Sequence, residues 1–154
     1  IGARRIGAVL ARRPELGDYG ERLAALGFPP FAGFLTGALD LAFEHGGRYW
    51  LLDYKSNRLG PTYGHYAPDR LATVMAESHY HLQAHLYAVA LHLHLRQRLG
   101  AAYVPASHFG GCLFLFVRGL HPDLKPLNGA RTGVYRDRPP VEILDALCEA
   151  LGVP

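Results

Sequence analysis

The stretch Tyr49-Trp50-Leu51-Leu52-Asp53-Tyr54-Lys55 decides the fold, because an apolar run ends there in a charged triplet. Side chains alternate between the two faces of a strand, so Asp53 and Lys55 project together while the backbone carbonyl of Tyr54 lies beside them. The carboxylate and the carbonyl are hard oxygen ligands of the kind that Mg²⁺ prefers, and Lys55 is suited to orient or deprotonate a water. The stretch therefore predicts a metal-dependent phosphodiesterase centre.

A second carboxylate, Asp40, lies upstream of this triplet. Strand-like runs from Gly33 to Phe43 and from Tyr49 to Lys55 flank a segment whose paired glycines, Gly46 and Gly47, allow the positive φ of a tight hairpin. We therefore predict Asp40 and Asp53 on adjacent antiparallel strands, near the same end of the hairpin. The alternative for Asp53 is an ion pair with an arginine or lysine, because an uncompensated charge there is costly.

The remaining pattern predicts an α/β fold. The segment from Asp69 to Leu99 has no glycine or proline and carries apolar residues at helical spacing, so it predicts one long helix. Gly110 to Val117 predicts a buried strand, and Glu142 to Leu151 a last amphipathic helix. Residues 56–68 and 119–138 are predicted to be loops. Residues 1–31, with a short helical pattern around Tyr19 to Leu26, are predicted to be a lead-in segment, and residues 32–154 a single core domain.

Composition limits the possible classes of protein. The chain has 154 residues, 49% of them hydrophobic, which suits one domain with a buried core. Its formal charge of +3 is compatible with a polyanionic partner, and Lys55 and Lys125 are its only lysines. Cys112 and Cys148 are predicted to be buried thiols. No apolar stretch has the length of a membrane span, no signal peptide is visible, and the start at Ile1 indicates a piece of a larger protein.

Gln83 and Tyr87 lie four residues apart in the predicted long helix, so they share one face and can reach the same object. On spacing alone they are also compatible with a core rim; their position downstream of Asp53 and Lys55 favours the site. His81 and His85 have the same spacing, but we interpret them as surface histidines instead of a zinc site. Arg58, beside the predicted site loop, is the arginine expected to contact a phosphate.

These motifs together resemble the RecB-type nuclease domains of the PD-(D/E)xK superfamily. The resemblance covers roughly residues 20 to 151 and rests on motifs in the right order: Gly33-Phe34-Leu35-x-Gly37-x-x-Asp40-Leu41, Tyr49-x-Leu51-Leu52-Asp53-Tyr54-Lys55-Ser56-Asn57, Leu82-Gln83-x-x-Leu86-Tyr87 and His108-Phe109-Gly110-Gly111. It implies a restriction-endonuclease-like core, in which a mixed central sheet is flanked by helices.

The resemblance also implies roles for individual residues. Asp40, Asp53 and the Tyr54 carbonyl would be Mg²⁺ ligands, Lys55 the catalytic lysine, and Gln83 with Tyr87 the QxxxY motif beside the site. A family member uses an additional histidine ligand from a helix far upstream, whereas no histidine precedes Asp40 here. We expect that ligand to be lost from this piece; water or another group such as Glu21 is the alternative.

The resemblance thus implies a Mg²⁺-dependent deoxyribonuclease of the exonuclease V type, acting in double-strand break repair and recombination. By resemblance, its partners would be DNA, chiefly single-stranded, and RecC- and RecD-type subunits, in the cytoplasm and with no membrane. Two other classes remain open. One is a catalytically inactive module that docks on other subunits, and the other is a phosphate or nucleic-acid binding domain with a structural metal.

Overall fold

A computed structural model describes residues 2–27, 33, 36–121 and 131–153 of the chain. The described residues fall into two units, one within residues 39–138 and one formed by parts of residues 1–38 and 139–154. The predicted division into residues 1–31 and 32–154 stays a prediction. Within the described part of the chain, no helix is both long and apolar enough to cross a membrane.

The unit of residues 39–138 is built on a mixed four-stranded sheet in the order β1-β2-β3-β4. The strands are β1 (Leu41–His45), β2 (Arg48–Lys55), β3 (Phe109–Phe116) and β4 (Val134–Asp137). Strands β1 and β2 are antiparallel, β2 and β3 parallel, and β3 and β4 antiparallel. The carboxyl ends of β2 and β3 therefore meet at one edge of the sheet, where Lys55 pairs with Phe116.

The predicted hairpin between β1 and β2 is confirmed. Gly46 and Gly47 have φ of 60° and 74°, which side chains with a Cβ rarely adopt, and the Gly47 N–H donates to Glu44 Oε1 at 2.7 Å. The predicted strand from Gly33 is too long, because β1 begins only at Leu41. Residues 36–39 have no regular structure, and Phe34 and Leu35 lie outside the described residues.

The predicted helix from Asp69 to Leu99 is wrong as one element. It is two helices, α3 (Pro68–Glu77) and α4 (Tyr80–Leu99), separated by Ser78 and His79. His79 takes the left-handed conformation, with φ of 55°, and this interrupts the helix without the glycine or proline that marks most breaks. The break gives each helix its own buried face, with Leu71 and Met75 buried on α3.

Two further expectations for this unit are corrected. Residues 119–138 are not all loop, since β4 pairs with β3 there; its four residues, Val-Tyr-Arg-Asp, lack the alternation of apolar and polar side chains that predicts a strand. Residues 122–130 lie outside the described residues. His81 and His85 of α4, which were expected at the surface, are buried, and so is His92. His85 Nδ1 forms a 2.6 Å hydrogen bond with the His81 carbonyl, one turn earlier, so one polar atom of the buried ring has a partner.

Short helices complete the unit. They are α5 (Pro105–His108) and the 3₁₀ turns Tyr63–Tyr66, Gly100–Ala102 and Val117–Gly119. The turn at Tyr63–Tyr66 lies in the predicted loop after β2. The core side chains of β3 include Phe109, Phe114 and Phe116, and Cys112 is buried among them, outside any disulfide. The prediction of a buried strand between Gly110 and Val117 is thus confirmed, with bounds one residue earlier.

The other unit contains α1 (Ala3–Leu10), the 3₁₀ turn Pro14–Leu16, α2 (Tyr19–Ala24) and α6 (Val141–Leu151). The last helix and the short helical pattern near Tyr19 are confirmed, whereas α1 was not predicted. Helices α1 and α2 approach closely because both carry a glycine at the crossing: a Cβ on Gly7 would lie 2.5 Å from Ala24 N, and one on Gly20 would lie 2.2 Å from Ala11 N. Cys148 of α6 is buried and is not part of a disulfide.

Candidate active site

The charged triplet at the end of β2 alternates as predicted. Asp53 and Lys55 are only 7% and 9% exposed, whereas Tyr54 between them is 52% exposed. The two charged side chains thus occupy the inner face of β2, against α4, and the tyrosine ring faces outward. Placing both charges in the interior is costly unless they are paired, which makes their partners the main question at this site.

Asp40 reaches the same edge from the other side of the hairpin. Its Oδ2 accepts a 2.8 Å hydrogen bond from the Tyr54 N–H. The last pair of the β1/β2 ladder joins Leu41 to Leu52, so Asp40 continues the ladder by one residue, opposite Asp53. The predicted proximity of the two carboxylates is supported by this geometry, although Asp40 precedes β1 and does not lie within it.

Lys55 is the centre of the charged network. Its Nζ lies 2.6 Å from Asp53 Oδ1 and donates to Gln83 Oε1 at 2.7 Å. The ion pair that was the alternative for Asp53 is therefore formed, and its partner is the lysine of the same triplet. The short distances and the burial of both groups indicate a strong, charge-assisted pair. It compensates both charges in the structure.

Helix α4 contributes the two residues that were predicted at helical spacing. The amide of Gln83 accepts from Lys55 through Oε1, and its Nε2 donates to Asp53 Oδ2 at 3.3 Å and to the Tyr87 hydroxyl at 2.8 Å. One amide thus contacts both members of the ion pair. Because these bonds use opposite ends of the amide, they fix its orientation, and Tyr87 fixes it further from the next turn of the helix.

Sequence reasoning missed Tyr80, the first residue of α4. Its ring lies 3.9 Å from Lys55 Nζ, measured to the ring centroid, and its hydroxyl donates to Asn57 Oδ1 at 3.2 Å. The ring also stacks on Phe114 of β3, with centroids 6.3 Å apart. The signal that could have found it is its spacing, since Tyr80 precedes Gln83 by three residues and shares its helix face.

The donor set fits a hard divalent cation. Two carboxylates and one backbone carbonyl, from Asp40, Asp53 and Tyr54, are all oxygen ligands, and such sites complete their coordination with water. In the part of the chain that the structure describes, His, Cys, Asp and Glu side chains form no cluster of three or more suited to a metal. A metal at this edge would therefore depend on the two aspartates, the carbonyl and solvent.

Comparison with known proteins gives a consistent result. The sequence profile of the PD-(D/E)XK nuclease superfamily matches residues 3–122. The chain is 43% identical over 140 residues to the RecBCD enzyme subunit RecB of Mycobacterium tuberculosis, covering 88% of this chain and 13% of that protein. It is 44% identical over 117 residues to the same subunit of Escherichia coli strain K12, covering 74% of this chain and 9% of that protein.

The RecBCD enzyme subunit RecB of Haemophilus influenzae is 40% identical over 123 residues, covering 80% of this chain and 10% of that protein. The chain spans about an eighth or less of the length of these relatives. The matches confirm the predicted resemblance to RecB nuclease domains and the α/β fold class, and superfamily members generally use a divalent metal ion. The chain belongs to the PD-(D/E)XK nuclease superfamily.

Proposed function

We propose that the chain is the Mg²⁺-dependent nuclease domain of a RecB-type helicase-nuclease, and that it hydrolyses phosphodiester bonds in DNA during double-strand break repair and recombination. One observation carries this proposal. Asp53 and Lys55 of β2 and Gln83 of α4 are joined by contacts of 2.6–3.3 Å, and Asp40, just before β1, reaches the same sheet edge by accepting from the Tyr54 N–H at 2.8 Å. Because the chain belongs to the nuclease superfamily, we assign phosphodiester hydrolysis to this arrangement.

Asp40 and Asp53, with the Tyr54 carbonyl, would hold Mg²⁺. When bound, the ion activates a water for attack on phosphorus and stabilises the charge that develops on the phosphate. The Tyr54 N–H bond to Asp40 Oδ2 orients that carboxylate, as partners beyond the ligands do in metal sites. Gln83 Nε2 does the same for Asp53 Oδ2.

Lys55 would position the attacking water and balance the negative charge of the reacting phosphate. An ammonium has three N–H donors, and Asp53 and Gln83 account for two of them. Those two bonds, together with the Tyr80 ring, hold the nitrogen in one place before substrate arrives. Pre-organised charge of this kind does not have to reorient during the reaction, which is why it lowers the barrier.

The partners follow from the relatives, which are subunits named RecB of RecBCD enzymes. We infer that the protein acts with RecC- and RecD-type subunits and receives single-stranded DNA from a helicase. The basic character of the chain, with a formal charge of +3, suits a polyanionic substrate.

The test is cleavage of single-stranded DNA by the full-length protein with its partner subunits in Mg²⁺. Asp53→Asn should lower the single-turnover rate roughly a thousandfold, because several kcal/mol of transition-state stabilisation depend on the metal ligand. Asp69→Asn is the matched control, since Asp69 is exposed in the first turn of α3. Equal cleavage by both variants would contradict the proposal, and failure of the wild type would favour a docking module.

A further inference from the structure

A second polar feature lies at the same sheet edge as the active site. The chain leaves β2 after Lys55 and leaves β3 after Phe116, and these two residues are paired, so the following segments begin side by side. Arg118 Nε joins them by donating to the Ser56 carbonyl at 3.0 Å. Whatever binds between these segments is therefore next to the end of the strand that carries Asp53 and Lys55.

The segment after β2 is held in a fixed shape by Tyr66. This buried residue accepts from the Leu59 N–H at 3.1 Å and donates to the Asn57 carbonyl at 3.3 Å through one hydroxyl. Gly119 packs against the same ring so closely that a Cβ there would lie 2.4 Å from Tyr66 atoms. The buried Tyr66 side chain thus holds the two segments in a defined conformation.

Between them lies a cavity of about 350 Å³, which falls at the lower end of the range for small-ligand sites. Arg58 and Arg118 line it together with Tyr63, and none of the described lining residues is acidic. The bond to Ser56 uses Nε of Arg118, so it does not occupy the two terminal nitrogens. Two guanidinium groups facing one polar cavity form an anion site, and arginine is the side chain best shaped for phosphate.

Tyr63 adds a feature that a simple anion site does not need. Its ring is 42% exposed and makes an edge contact with His121, with centroids 5.0 Å apart. An exposed, braced aromatic ring beside two arginines is the combination by which proteins hold single-stranded nucleic acid: the arginines bind the backbone and the ring stacks on a base.

We propose that this cavity, lined by Arg58, Arg118 and Tyr63, is a subsite for one nucleotide of the single strand that passes through the active site. The two arginines bind a phosphate that flanks the scissile one, and Tyr63 stacks on the attached base. The subsite rests on the proposed function, because it requires a nucleic-acid substrate. It determines where along the strand the reacting phosphate is placed.

The first test measures binding of a fluorescent oligothymidylate to the full chain by anisotropy, with EDTA present so that no cleavage occurs. Arg58→Gln should weaken binding roughly tenfold and lower the salt slope by about 0.7, the value for one lost phosphate contact on a single strand. The matched control is Arg98→Gln, since Arg98 lies near the far end of α4, about 22 Å beyond Gln83 at 1.5 Å per residue. Equal weakening by the two variants would overturn the subsite.

The second test changes the oligonucleotide, and its first readout uses the wild type alone. Single phosphates of the oligonucleotide are replaced in turn by neutral methylphosphonates. The wild type should lose affinity at one position in particular, and Arg58→Gln should be insensitive to replacement at that position. A uniform loss along the strand would overturn the proposal, and so would equal affinity for free dTMP and the oligonucleotide, which would indicate a mononucleotide pocket.

The two proposals fail differently. Normal cleavage by the complex, with Arg58→Gln and Arg98→Gln binding alike, removes the subsite and leaves the nuclease function intact. Loss of position-specific binding together with absence of cleavage by the wild-type complex removes both. If Asp53→Asn loses cleavage but keeps position-specific binding of the oligonucleotide, both proposals are supported. The subsite would then hold the strand without the metal ligand.

Discussion

The two ends of strand β2 handle positive charge in opposite ways. At the carboxyl end, Lys55 is bonded to a carboxylate and an amide, at 2.6 and 2.7 Å. At the hairpin end, Arg48 and Arg138 both donate to the carbonyl of Ala106, at 3.0 and 2.7 Å. There, partial burial and the charges of Arg48 and Arg136 lower the pKa of Arg138 below its usual range.

This difference in charge between the two ends of β2 indicates where on the sheet a reaction can occur. Opposite charges held at one edge can exchange partners, so Asp53 can share a metal and Lys55 can turn to a water or phosphate. At the hairpin end, the like charges are held by a carbonyl and by the Trp50 ring, whose centroid lies 4.7 Å from the Arg136 guanidinium, so these contacts fix the packing against the mutual repulsion of the arginines. We therefore expect changes at the carboxyl end to affect cleavage, and changes at the hairpin end to affect stability.

The largest effect is expected for Lys55→Met. The cleavage rate should fall about 10²- to 10⁴-fold, the usual contribution of a positioned acid-base group. The free energy of unfolding should fall by about 3–5 kcal/mol, because Asp53 would stay buried without its counter-charge. Single-turnover kinetics and denaturant unfolding measure the two quantities.

Lys55→Arg separates the two roles of Lys55. It keeps the charge and should recover most of the stability, but its planar fork cannot place one donor where the ammonium nitrogen lies, so cleavage should stay low. Normal cleavage by Lys55→Met would remove the distinction between the two ends of the strand.

Gly110→Ala tests the hairpin end. The new Cβ would lie 2.5 Å from the Trp50 ring and 2.8 Å from the Tyr49 carbonyl, so the sheet must shift at a cost of about 1–3 kcal/mol. The cleavage rate of the folded fraction should not change. Gly64→Ala is the control, because its nearest neighbour is Thr62 Oγ1 at an ordinary 3.7 Å. Equal stability of the two variants, measured by denaturant unfolding, would contradict the account of this packing.

Tyr80→Leu should lower kcat about tenfold and leave KM nearly unchanged, because a cation-π contact of roughly 0.5–2 kcal/mol holds Lys55 and does not hold substrate. Tyr80→Phe keeps the ring and loses only the bond to Asn57, so its kcat should stay within about threefold of the wild type. Steady-state kinetics of both variants provide the comparison. If Tyr80→Phe is as slow as Tyr80→Leu, the hydroxyl and not the ring positions Lys55.

The smallest effect concerns the arginines of the hairpin end. Burial is the largest cause of the lowered pKa of Arg138, and repulsion by Arg48 and Arg136 is the part that salt can screen. Because this repulsion disfavours the charged form in the folded state, the Tm should rise with added NaCl, and Arg48→Gln should reduce that rise by about 1 °C, since Arg136 and Arg138 are exposed and Arg48 is half-buried. Arg98→Gln should leave the rise unchanged; an equal reduction in both variants would exclude a local effect.

Local sequence was sufficient for the hairpin and for the triplet at its end. Gly46 and Gly47 require a turn, and alternation places Asp53 and Lys55 on one face whatever surrounds them. Gln83 and Tyr87 were also within reach, because helical spacing binds them to one face. Spacing could not predict that Lys55 is the ion-pair partner of Asp53. Two neighbours on one strand face form an ion pair only if no other charged side chain in the folded protein lies closer to either of them.

The errors share a physical cause, which is that tertiary contacts override local preference. His79 breaks the long helix with a left-handed conformation that no glycine announced, and β4 forms over four residues because β3 offers a partner. The buried histidines of α4 were predicted at the surface, because the sequence does not show which polar side chains find a hydrogen-bond partner in the interior. The His85 ring finds one in the His81 carbonyl. Tyr80 was missed because its role depends on where Lys55 lies.

The most direct test of the central claim is calorimetric titration of Mg²⁺ into the full-length protein without nucleotide, comparing the wild type with Asp40→Asn and Asp53→Asn. We expect one binding event in the wild type, and we expect Asp40→Asn and Asp53→Asn each to abolish it. Asp69→Asn should bind Mg²⁺ as the wild type does. The same Mg²⁺ affinity in all four proteins would show that the paired aspartates hold no metal, and would contradict the assignment of this sheet edge as the catalytic centre.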